Sequence, residues 1–509
     1  MKVIYKSLII LFSAAILFVS CEKFLDVNDN PNNPTSTIPK LTLPVAQESY
    51  VALQSRQMNY LGNFIVYNWA VPSNWSAMQN EIRYNVTSTF YNVIFENTYQ
   101  DIFKNITYVI NYEAEGTDYT AYKVIGNIIK SAQYQHLVDL YGDVPYSEAN
   151  MRGQNTTPKY DDAATIYKSL VDSLTHYANL AVNMPDVYED PEGQDIIFHG
   201  DMEKWAQFAN TIKLRMLVRL SNTGQDAYIK QEIGKIDANG AGYLKADVFA
   251  QPGYSDDADK QNPYYGYIGM QPGGKAVTDR NDYTVASDYA LDYLMSTNDE
   301  RYMRLYSESK DTEEYKGVWQ ATALPGSGYT AQVLSHVGPG LLIGPAQDQI
   351  VFMAAESMFL QAEAIVRGYI AGGDAAAKNM YENGIAASYH FLFNPGRDKS
   401  LEITSDDVQA MAEEYYAQTL PNVSWNSSSN KIEAIITQKA IALNGSFGHE
   451  AWIELTRTGF PKNVPIPDEA VENKKPVRLL YPQSEIARNN ENVPKQTQAD
   501  AFTKYPFWK

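Results

Sequence analysis

Several stretches of the chain repeat apolar residues at three- and four-residue steps, the spacing that places side chains on one face of an α-helix. The clearest series are Trp205, Phe208, Ile212, Met216 and Leu220, then Ile166, Leu170, Leu174, Ala178 and Ala181, then Val351, Ala355, Met358, Ala362 and Val366, and finally Ile432, Ile435, Ile436 and Leu443. Alternation of apolar and polar residues, the pattern of a half-buried strand, is sparse. Because a helix with one apolar stripe buries that stripe against other elements, the chain is predicted to be mainly all-α.

The predicted helices are bounded by residue types that satisfy free backbone groups at helix ends. Asp201 precedes one series, and Asp161 or Asp162 precedes another, where a carboxylate can accept a hydrogen bond from a first-turn N–H group. Thr404 to Asp407 has the spacing of a capping box. Gly368 stands where a third series stops, as expected of a residue that readily takes left-handed backbone.

Two long stretches show neither the helical nor the strand spacing of apolar residues. Residues 253–282 are rich in glycine and proline and hold four tyrosines, and residues 317–345 are rich in glycine. Loops longer than about 12 to 15 residues are uncommon in compact domains and are usually functional or disordered, and the aromatic rings argue against disorder. The two stretches are therefore predicted to be long irregular ligand-binding loops on a single body that spans residues 41–509.

Residues 1–20 have the layout of a bacterial lipoprotein signal peptide. A basic start is followed by an apolar run over residues 8–19, a small residue, and Cys21, the only cysteine. The run is shorter than the roughly 20 residues that a transmembrane helix needs. Cys21 is therefore the predicted lipidation site, and residues 21–40 are predicted to be a lipidated tether. An ordinary secretory signal with an accidental cysteine is the alternative.

The charge of the chain limits its partners. Its formal net charge is −19, and no cluster of lysine and arginine is present. Nucleic acid is therefore not expected as a partner, because binding to phosphates needs a basic surface. Anionic lipid is disfavoured for the same reason, so membrane attachment is predicted to occur through acyl chains only.

The segment Asp139 to Ala149, which reads DLYGDVPYSEA, resembles the YGDxPYxEA signature of the SusD/RagB family of nutrient-binding outer-membrane lipoproteins. Further matches to the motifs of this family occur in the same order along the chain. They are Cys21 to Asp26, the helix from Asp201 to Ser221, Ala354 to Ala364, Gln438 to Pro461, and Arg478 to Glu485. One departure is Asp299-Glu300-Arg301, where members of the family commonly have Asp-Pro-Arg.

This resemblance implies a SusD-like fold, in which tetratricopeptide-like helix pairs form the scaffold and loops form the ligand surface. It also implies an outer-membrane protein that is lipid-anchored and exposed at the cell surface. The implied partner is a SusC-like TonB-dependent transporter, a barrel that the lipoprotein covers as a mobile lid while it passes captured oligomers inward.

Tyrosine is unusually abundant, with 38 residues against 18 phenylalanines. Tyrosine and tryptophan combine an apolar face with a polar edge, so they can stack on a sugar ring while neighbouring polar groups bind its hydroxyls. The family resemblance places the ligand site near residues 66–83, and the first long loop supplies further rings. The predicted ligand-binding residues are Trp69, Asn74, Trp75, Arg83, Tyr264, Tyr265, Tyr267 and Tyr283. For each ring, core packing is the competing interpretation, and Trp205 and Trp452 are assigned to packing.

No motif indicates catalysis or a cofactor. The six histidines lack the HExxH spacing, and neither a G-x-S-x-G elbow nor a phosphate-binding loop is present. Asp256, Asp257 and Asp259 could hold calcium, although a solvated acidic cluster is the favoured interpretation. Asp26 to Asn30 begins like a calcium loop, but Pro31 stands where glycine is needed.

Glu356 and Glu363 are seven residues apart and so lie on the same face of one predicted helix. Because they belong to a scaffold motif of the family, they are expected to form structural ion pairs, with Arg457 as a candidate partner, and not a catalytic pair.

The leading hypothesis is a non-enzymatic surface lipoprotein that captures oligosaccharides and delivers them to the partner transporter. Three alternatives remain open at this point. They are the same lid role with peptides as cargo, a glycoside hydrolase, and a helical interaction scaffold without a small ligand.

Overall fold

The structure, a computed structural model, describes residues 37–320 and 325–509. The signal peptide, the lipidation site Cys21, the Asp26 to Asn30 segment and most of the tether lie outside the described residues, so these assignments remain predictions. None of the helices in the described ranges combines the length and the apolar character needed to cross a membrane.

The prediction of a mainly α-helical fold is confirmed. The α-helices of the described chain are α1 (Pro39–Leu53), α2 (Asn59–Ile65), α3 (Val93–Asn97), α4 (Lys104–Ile110), α5 (Thr120–Tyr141), α6 (Ala163–Val182), α7 (Met202–Arg219), α8 (Asp226–Asn239), α9 (Pro263–Ile268), α10 (Asp279–Tyr283), α11 (Asp288–Ser296), α12 (Tyr302–Leu305), α13 (Ala354–Val366), α14 (Gly373–Leu392), α15 (Ser405–Ala417), α16 (Lys431–Leu443), α17 (Gly448–Thr458), α18 (Gln483–Arg488) and α19 (Asp500–Thr503). Short π-helical segments, Gln54–Met58 and Thr98–Phe103, join α1 to α2 and α3 to α4.

The strands of the described chain form two small antiparallel pairs. β1 (Trp69–Ala70) pairs with β3 (Val285–Ala286), and β2 (Val248–Ala250) pairs with β4 (Gln349–Phe352). In the first pair Trp69 lies opposite Ala286, and Ala70 lies opposite Val285. This two-residue ladder joins parts of the chain that are more than 200 positions apart.

The helix ends follow the predicted capping chemistry. Asp162, and not Asp161, caps α6 by accepting a hydrogen bond from the Thr165 amide, and Asp201 caps α7 in the same way. The Thr404 capping box is present at the start of α15. Gly368 follows α13 with a φ of 70°, a left-handed conformation that disfavours other residues.

The long helices pack against their neighbours in the chain and share one hydrophobic core. α5 packs against α4 and α6, α6 packs against α7, and α14 packs against α13 and α15. Trp205 on α7 and Trp452 on α17 are fully buried in this core, which confirms their assignment to packing. The stretch 253–282, predicted to be irregular throughout, contains the two short helices α9 and α10.

The core also contains charged side chains that are almost completely removed from solvent. We call this group the buried ion network; its acids and bases come from α5, α7, α13, α16 and α17. Its members are Asp139, Arg215, Arg219, Glu356, Glu363, Lys439, Glu450, Glu454 and Arg457.

The arginines of the network join helices that are distant in sequence. Arg219 pairs with Asp139, with Glu450 at 2.6 Å and with Glu454 at 3.2 Å. Arg215 donates to both carboxylate oxygens of Glu356, at 2.9 and 2.8 Å. Since unpaired charges in a low-dielectric core are very costly, these pairs restrict how the helices can be arranged.

The expected ion pair between Glu363 and Arg457 is confirmed. Arg457 donates to Glu363 Oε1 and Oε2, both at 2.7 Å, and Arg367 pairs with Glu363 from the next turn of α13. Burial alone would raise the pKa of Glu363, but the charges of Arg457 and Arg367 outweigh this effect and hold the pKa below its ordinary value.

The far end of the chain completes the network. The indole of Trp508, which is fully buried, donates to Asp139 Oδ1 at 2.8 Å, and the hydroxyl of Tyr167 donates to the same oxygen at 2.7 Å. Asp139 therefore has hydrogen-bond donors on both of its carboxylate oxygens, because Arg219 occupies the other oxygen.

Helix α2 lies unusually close to α17. A Cβ atom on Gly62 would lie 2.0 Å from the carbonyl carbon of Gly448, so a larger residue does not fit. Asn59 donates to the Gly445 carbonyl at 2.7 Å and accepts from the Gly448 amide at 2.9 Å, while Asn63 accepts from the Gly445 amide at 3.0 Å. The segment that follows α2, including β1, is thereby fixed to the network helix α17.

Replacing Glu363 with Gln should lower the free energy of unfolding by about 3 kcal/mol, because it leaves Arg457 with one fewer buried carboxylate. The exposed Glu402→Gln substitution serves as the control and should change stability little. Chemical denaturation of both variants measures the effect. A Glu363→Gln variant that is as stable as the control would contradict a structural role for this ion pair.

The stability difference between the unsubstituted protein and Glu363→Gln should depend on pH. The pKa of Glu363 in the folded state lies below the value of about 4.3 expected in the unfolded chain. The ionised carboxylate therefore contributes its full stability above about pH 4.3, and this contribution is lost as the pH falls towards the folded pKa. Denaturation between pH 6 and pH 3 should show the difference narrowing by about 1.4 kcal/mol per pH unit below pH 4.3. A difference that stays constant down to pH 3 would refute this linkage.

Candidate functional site

The structure brings together rings from the two predicted aromatic segments. Trp75 lies in the loop after β1, and Tyr283 is the last residue of α10, directly before β3. Their ring centroids are 5.5 Å apart at an interplanar angle of 66°, and both side chains are partly exposed. The pairing of β1 with β3 explains this proximity, because it places the two segments side by side.

Asp282 fixes the edge of the Trp75 ring. The indole Nε1 donates to Asp282 Oδ2 at 2.8 Å, and Lys310 Nζ lies 3.0 Å from Oδ1. Burial alone would raise the pKa of Asp282, but the hydrogen bonds from Lys310 and Trp75 outweigh it and hold the pKa below its ordinary value. Asp282 is therefore ionised at neutral pH. Its hydrogen bond fixes the edge of the Trp75 indole, and the Trp75 side chain stays partly exposed.

Tyr267 and Arg280 extend this surface. The guanidinium carbon of Arg280 lies 4.0 Å from the centroid of the Tyr267 ring, within the range of a cation–π interaction. Tyr267 also meets Tyr60 edge to face at 5.6 Å. Burial raises the pKa of Tyr267 and of Tyr283, so both hydroxyls are protonated at neutral pH and can donate hydrogen bonds. We call Trp75, Tyr267, Arg280, Asp282 and Tyr283 the aromatic face.

A cleft of about 760 Å³ adjoins the aromatic face and shares Trp75 with it. Asn74 and Arg83, both predicted from the sequence, also line this cleft. Asn74 Oδ1 accepts a hydrogen bond from the Ala331 amide at 2.9 Å, and Arg83 pairs with Glu469 at 2.8 Å.

Three of the predicted rings lie in the protein interior and not on this surface. Trp69 is 1% exposed because β1 carries it into the core, where it packs against Tyr60 at 5.3 Å and Phe64 at 6.2 Å. Tyr264 and Tyr265 are 5% and 9% exposed because α9 turns both against the body. In this conformation these three rings offer no open face to a ligand.

Sequence reasoning missed three polar residues of the site. Asp282 is adjacent to the predicted Tyr283 and Arg280 is three residues before it, so proximity in sequence could have indicated both. Lys310 lies 28 residues from Asp282 in a segment without any motif. Its contact with Asp282 could be found only in the folded structure.

Glu81 is a further carboxyl group beside these rings. Burial raises its pKa, and it forms a hydrogen bond with Tyr91 that opposes this shift. The charge of Glu81 also influences the titration of Tyr267 and Tyr283.

In the described chain, one group of side chains is close enough to share a metal ion. His136, His449 and Glu450 place possible ligand atoms within 4.8 Å of one another. However, Glu450 is already paired with Arg219 at 2.6 Å and with Arg215 at 3.3 Å, and these guanidinium groups would repel a cation. We assign the group to the buried ion network. Asp256, Asp257 and Asp259 are exposed and do not form such a group among the described residues.

Residues 31–482 match a SusD-like family model described as starch-binding associating with outer membrane. No curated protein matches the chain in sequence. Solved structures share its fold, although identities this low show nothing beyond the fold.

Three of these structures illustrate the likeness. A chitin-binding SusD homolog from Flavobacterium johnsoniae is 21% identical with a TM-score of 0.70, and the match covers 89% of this chain and 94% of the homolog. A SusD homolog from Bacteroides uniformis is 22% identical with a TM-score of 0.71, covering 92% and 99%. A SusD/RagB family protein from Bacteroides thetaiotaomicron is 19% identical with a TM-score of 0.72, covering 93% and 99%.

Proposed function

Because the chain belongs to the SusD-like family of starch-binding proteins that associate with the outer membrane, we propose that it captures oligosaccharides there and passes them, without cleaving them, to a TonB-dependent transporter. The observation that carries this proposal is the aromatic face beside an open cleft. Two segments far apart in sequence supply partly exposed rings and hydrogen-bonding groups to one surface, and Trp75 is shared by this surface and the cleft.

The chemistry of the aromatic face suits a sugar chain. The C–H groups of a pyranose ring can stack on Trp75 or Tyr283, since the faces of these rings are apolar. Arg280, Asp282 and the tyrosine hydroxyls lie beside the rings and can bind sugar hydroxyls. The cleft volume of about 760 Å³ falls within the range of small-molecule sites.

The expected affinity is modest. Stacking of a planar ligand on a protein ring contributes about 1 to 3 kcal/mol per ring, and we expect sugar stacking to be no stronger. Two or three such contacts give binding that is reversible on a short timescale. This property fits a protein that must release its cargo to a transporter.

The ionisation state of Asp282 excludes it as the general acid of a glycosidase. A glycosidase needs one carboxylic acid whose pKa is raised and a second carboxylate roughly 5 to 9.5 Å away. Asp282 has a lowered pKa and is already engaged by Lys310 and Trp75. Any hydrolysis that is found would be assigned to Glu81, the nearby carboxyl group whose pKa is raised by burial.

Membrane attachment and the partner complete the proposal. Acyl chains on Cys21 would hold the body at the outer membrane, on the cell surface. A partner transporter of the SusC-like class would receive the ligand from the aromatic face. Membrane fractionation, acyl labelling and a Cys21→Ser variant test the anchor separately from ligand binding.

The soluble protein without residues 1–21 should bind oligosaccharides on an array that carries both glycans and peptides. Starch-type and chitin-type chains are the first choices, because these ligands are named for the family and for one related structure. The bound sugars should show no new reducing ends after prolonged incubation. Binding to peptides alone would overturn the choice of cargo, and new reducing ends that disappear in Glu81→Gln would establish a hydrolase.

Replacing Tyr283 with Ala should weaken oligosaccharide binding by about 5- to 150-fold, which corresponds to the loss of about 1 to 3 kcal/mol for one stacking ring. Tyr283→Phe should retain much of the affinity because it keeps the ring. The matched control is Tyr505→Ala at a position that is 50% exposed and outside the aromatic face. Titration calorimetry compares the three variants, and unchanged binding by Tyr283→Ala would place the ligand elsewhere.

A further inference from the structure

Two guanidinium groups lie beside Tyr267 of the aromatic face without a carboxylate partner. Arg280 lies over the Tyr267 ring and forms no salt bridge with any carboxylate of the described chain. Arg56, in the segment between α1 and α2, donates from Nε to the Pro263 carbonyl at 3.0 Å and likewise forms no salt bridge among the described residues. Both arginine side chains are partly exposed. They are therefore open to an acceptor from outside the protein.

This lack of partners is unusual in a chain where acidic residues outnumber basic ones by 60 to 41. In the interior, Arg219, Arg301 and Arg457 each pair with at least one carboxylate. The exposed Arg83 at the edge of the cleft pairs with Glu469. An abundance of acids thus satisfies these arginines, whereas those beside Tyr267 stay free.

The groups around Arg280 are donors and do not neutralise it. Burial alone would lower the pKa of Arg280, but the neighbouring hydroxyls of Tyr267, Tyr283 and Tyr60 outweigh this effect, so the guanidinium stays charged. The Tyr283 hydroxyl has no hydrogen-bond partner in the described chain and is not one of its buried unpaired atoms, so a ligand can reach it. None of the Arg280 nitrogens is buried and unpaired either. The surface therefore offers accessible donors without matching acceptors.

The carboxyl groups nearest to these arginines do not cancel their charge. Asp282 is already paired with Lys310 at 3.0 Å. Burial raises the pKa of Glu81, which favours its neutral form. Asp279 is exposed, where salt and water screen its charge. Two guanidinium groups thus remain beside the rings with only partial compensation.

We propose that the aromatic face selects oligosaccharides that carry a carboxylate, as uronic acids do, and that Arg280 binds this carboxylate. The inference rests on the proposed function, because it names the class of sugar that the same site takes. A guanidinium presents its N–H donors in a planar fork that matches the two oxygens of a carboxylate. The Tyr283 hydroxyl can donate to the same group while the sugar ring stacks on Trp75.

The test compares acidic sugars with neutral forms of the same sugars. The soluble protein without residues 1–21 is titrated in a calorimeter with tri-galacturonate, tri-mannuronate and a hyaluronan tetrasaccharide, each beside its methyl ester. The ester keeps the rings and linkages and removes the charge. At least one acid should bind about 10-fold or more tightly than its ester, as expected for hydrogen bonds to a charged group. Equal binding of acid and ester in all three pairs would overturn the proposal.

Substitution of Arg280 tests its role. Arg280→Gln should bring the ratio of the affinities for acid and ester close to one. Arg280→Lys should keep part of the preference, because the charge remains while the planar fork is lost. Arg488→Gln, at an exposed position on α18, is the matched control and should keep the full preference. Thermal melting verifies that each variant is folded, and a preference that survives in Arg280→Gln would show that Arg280 does not bind the carboxylate.

Glu81→Gln gives a second, independent measurement. Removing this neighbouring carboxyl group should preserve the preference for acids or increase it, because less negative charge then faces the ligand. A preference that disappears in folded Glu81→Gln would contradict binding of an anion at this surface.

Failure of this inference can be distinguished from failure of the proposed function. Binding of neutral chains with no preference for acids would reject the acidic class and leave oligosaccharide capture standing. If the acids, the esters and the glycans of the array all fail to bind, both the inference and the proposed function are overturned.

Discussion

The buried ion network is the interaction on which the rest of the structure depends. Five helices contribute charged groups that have almost no access to water, so each charge is stable only if its partners are in place. Apolar packing alone tolerates small shifts between helices, whereas a bidentate pair such as that between Arg457 and Glu363 does not. The network therefore fixes the relative positions of helices that are far apart in the chain.

This constraint reaches the aromatic face through a short series of contacts. Helix α17 carries Glu450, Glu454 and Arg457 and lies in close contact with α2, where only glycine fits at the crossing. Helix α2 leads into β1, and β1 pairs with β3 next to Tyr283. Trp75 lies in the loop that leaves β1, and α10, which carries Arg280, Asp282 and Tyr283, leads into β3, so this ladder fixes both segments. The position of Trp75 relative to Tyr283 is thus set by packing in the interior.

The sequence predicted the scaffold better than the site, for a physical reason. Helix periodicity and capping depend on residues three or four positions apart, so both could be predicted from the sequence. The partner of Glu363 followed from a family motif. Which rings face outward depends on contacts between distant segments. Trp69 and Trp75 are six residues apart and chemically identical, yet one lies in a strand against the core and the other lies beside Asp282, 207 positions later. The pairing of Asp282 with Lys310 and Trp75 can be found only in the folded structure.

The contact between Trp508 and Asp139 has a consequence for the order in which the protein folds. A ribosome makes a polypeptide from its amino terminus onwards. Asp139, Tyr167 and Arg219 are therefore all present well before the indole of Trp508, which is 369 positions after Asp139 in the sequence. Until residue 508 has been made, the buried carboxylate lacks the donor that the indole supplies, although Arg219 and Tyr167 are already available to it. One hydrogen bond contributes about 0.5 to 1.5 kcal/mol, so the core is less stable by roughly that amount until its last element has joined it.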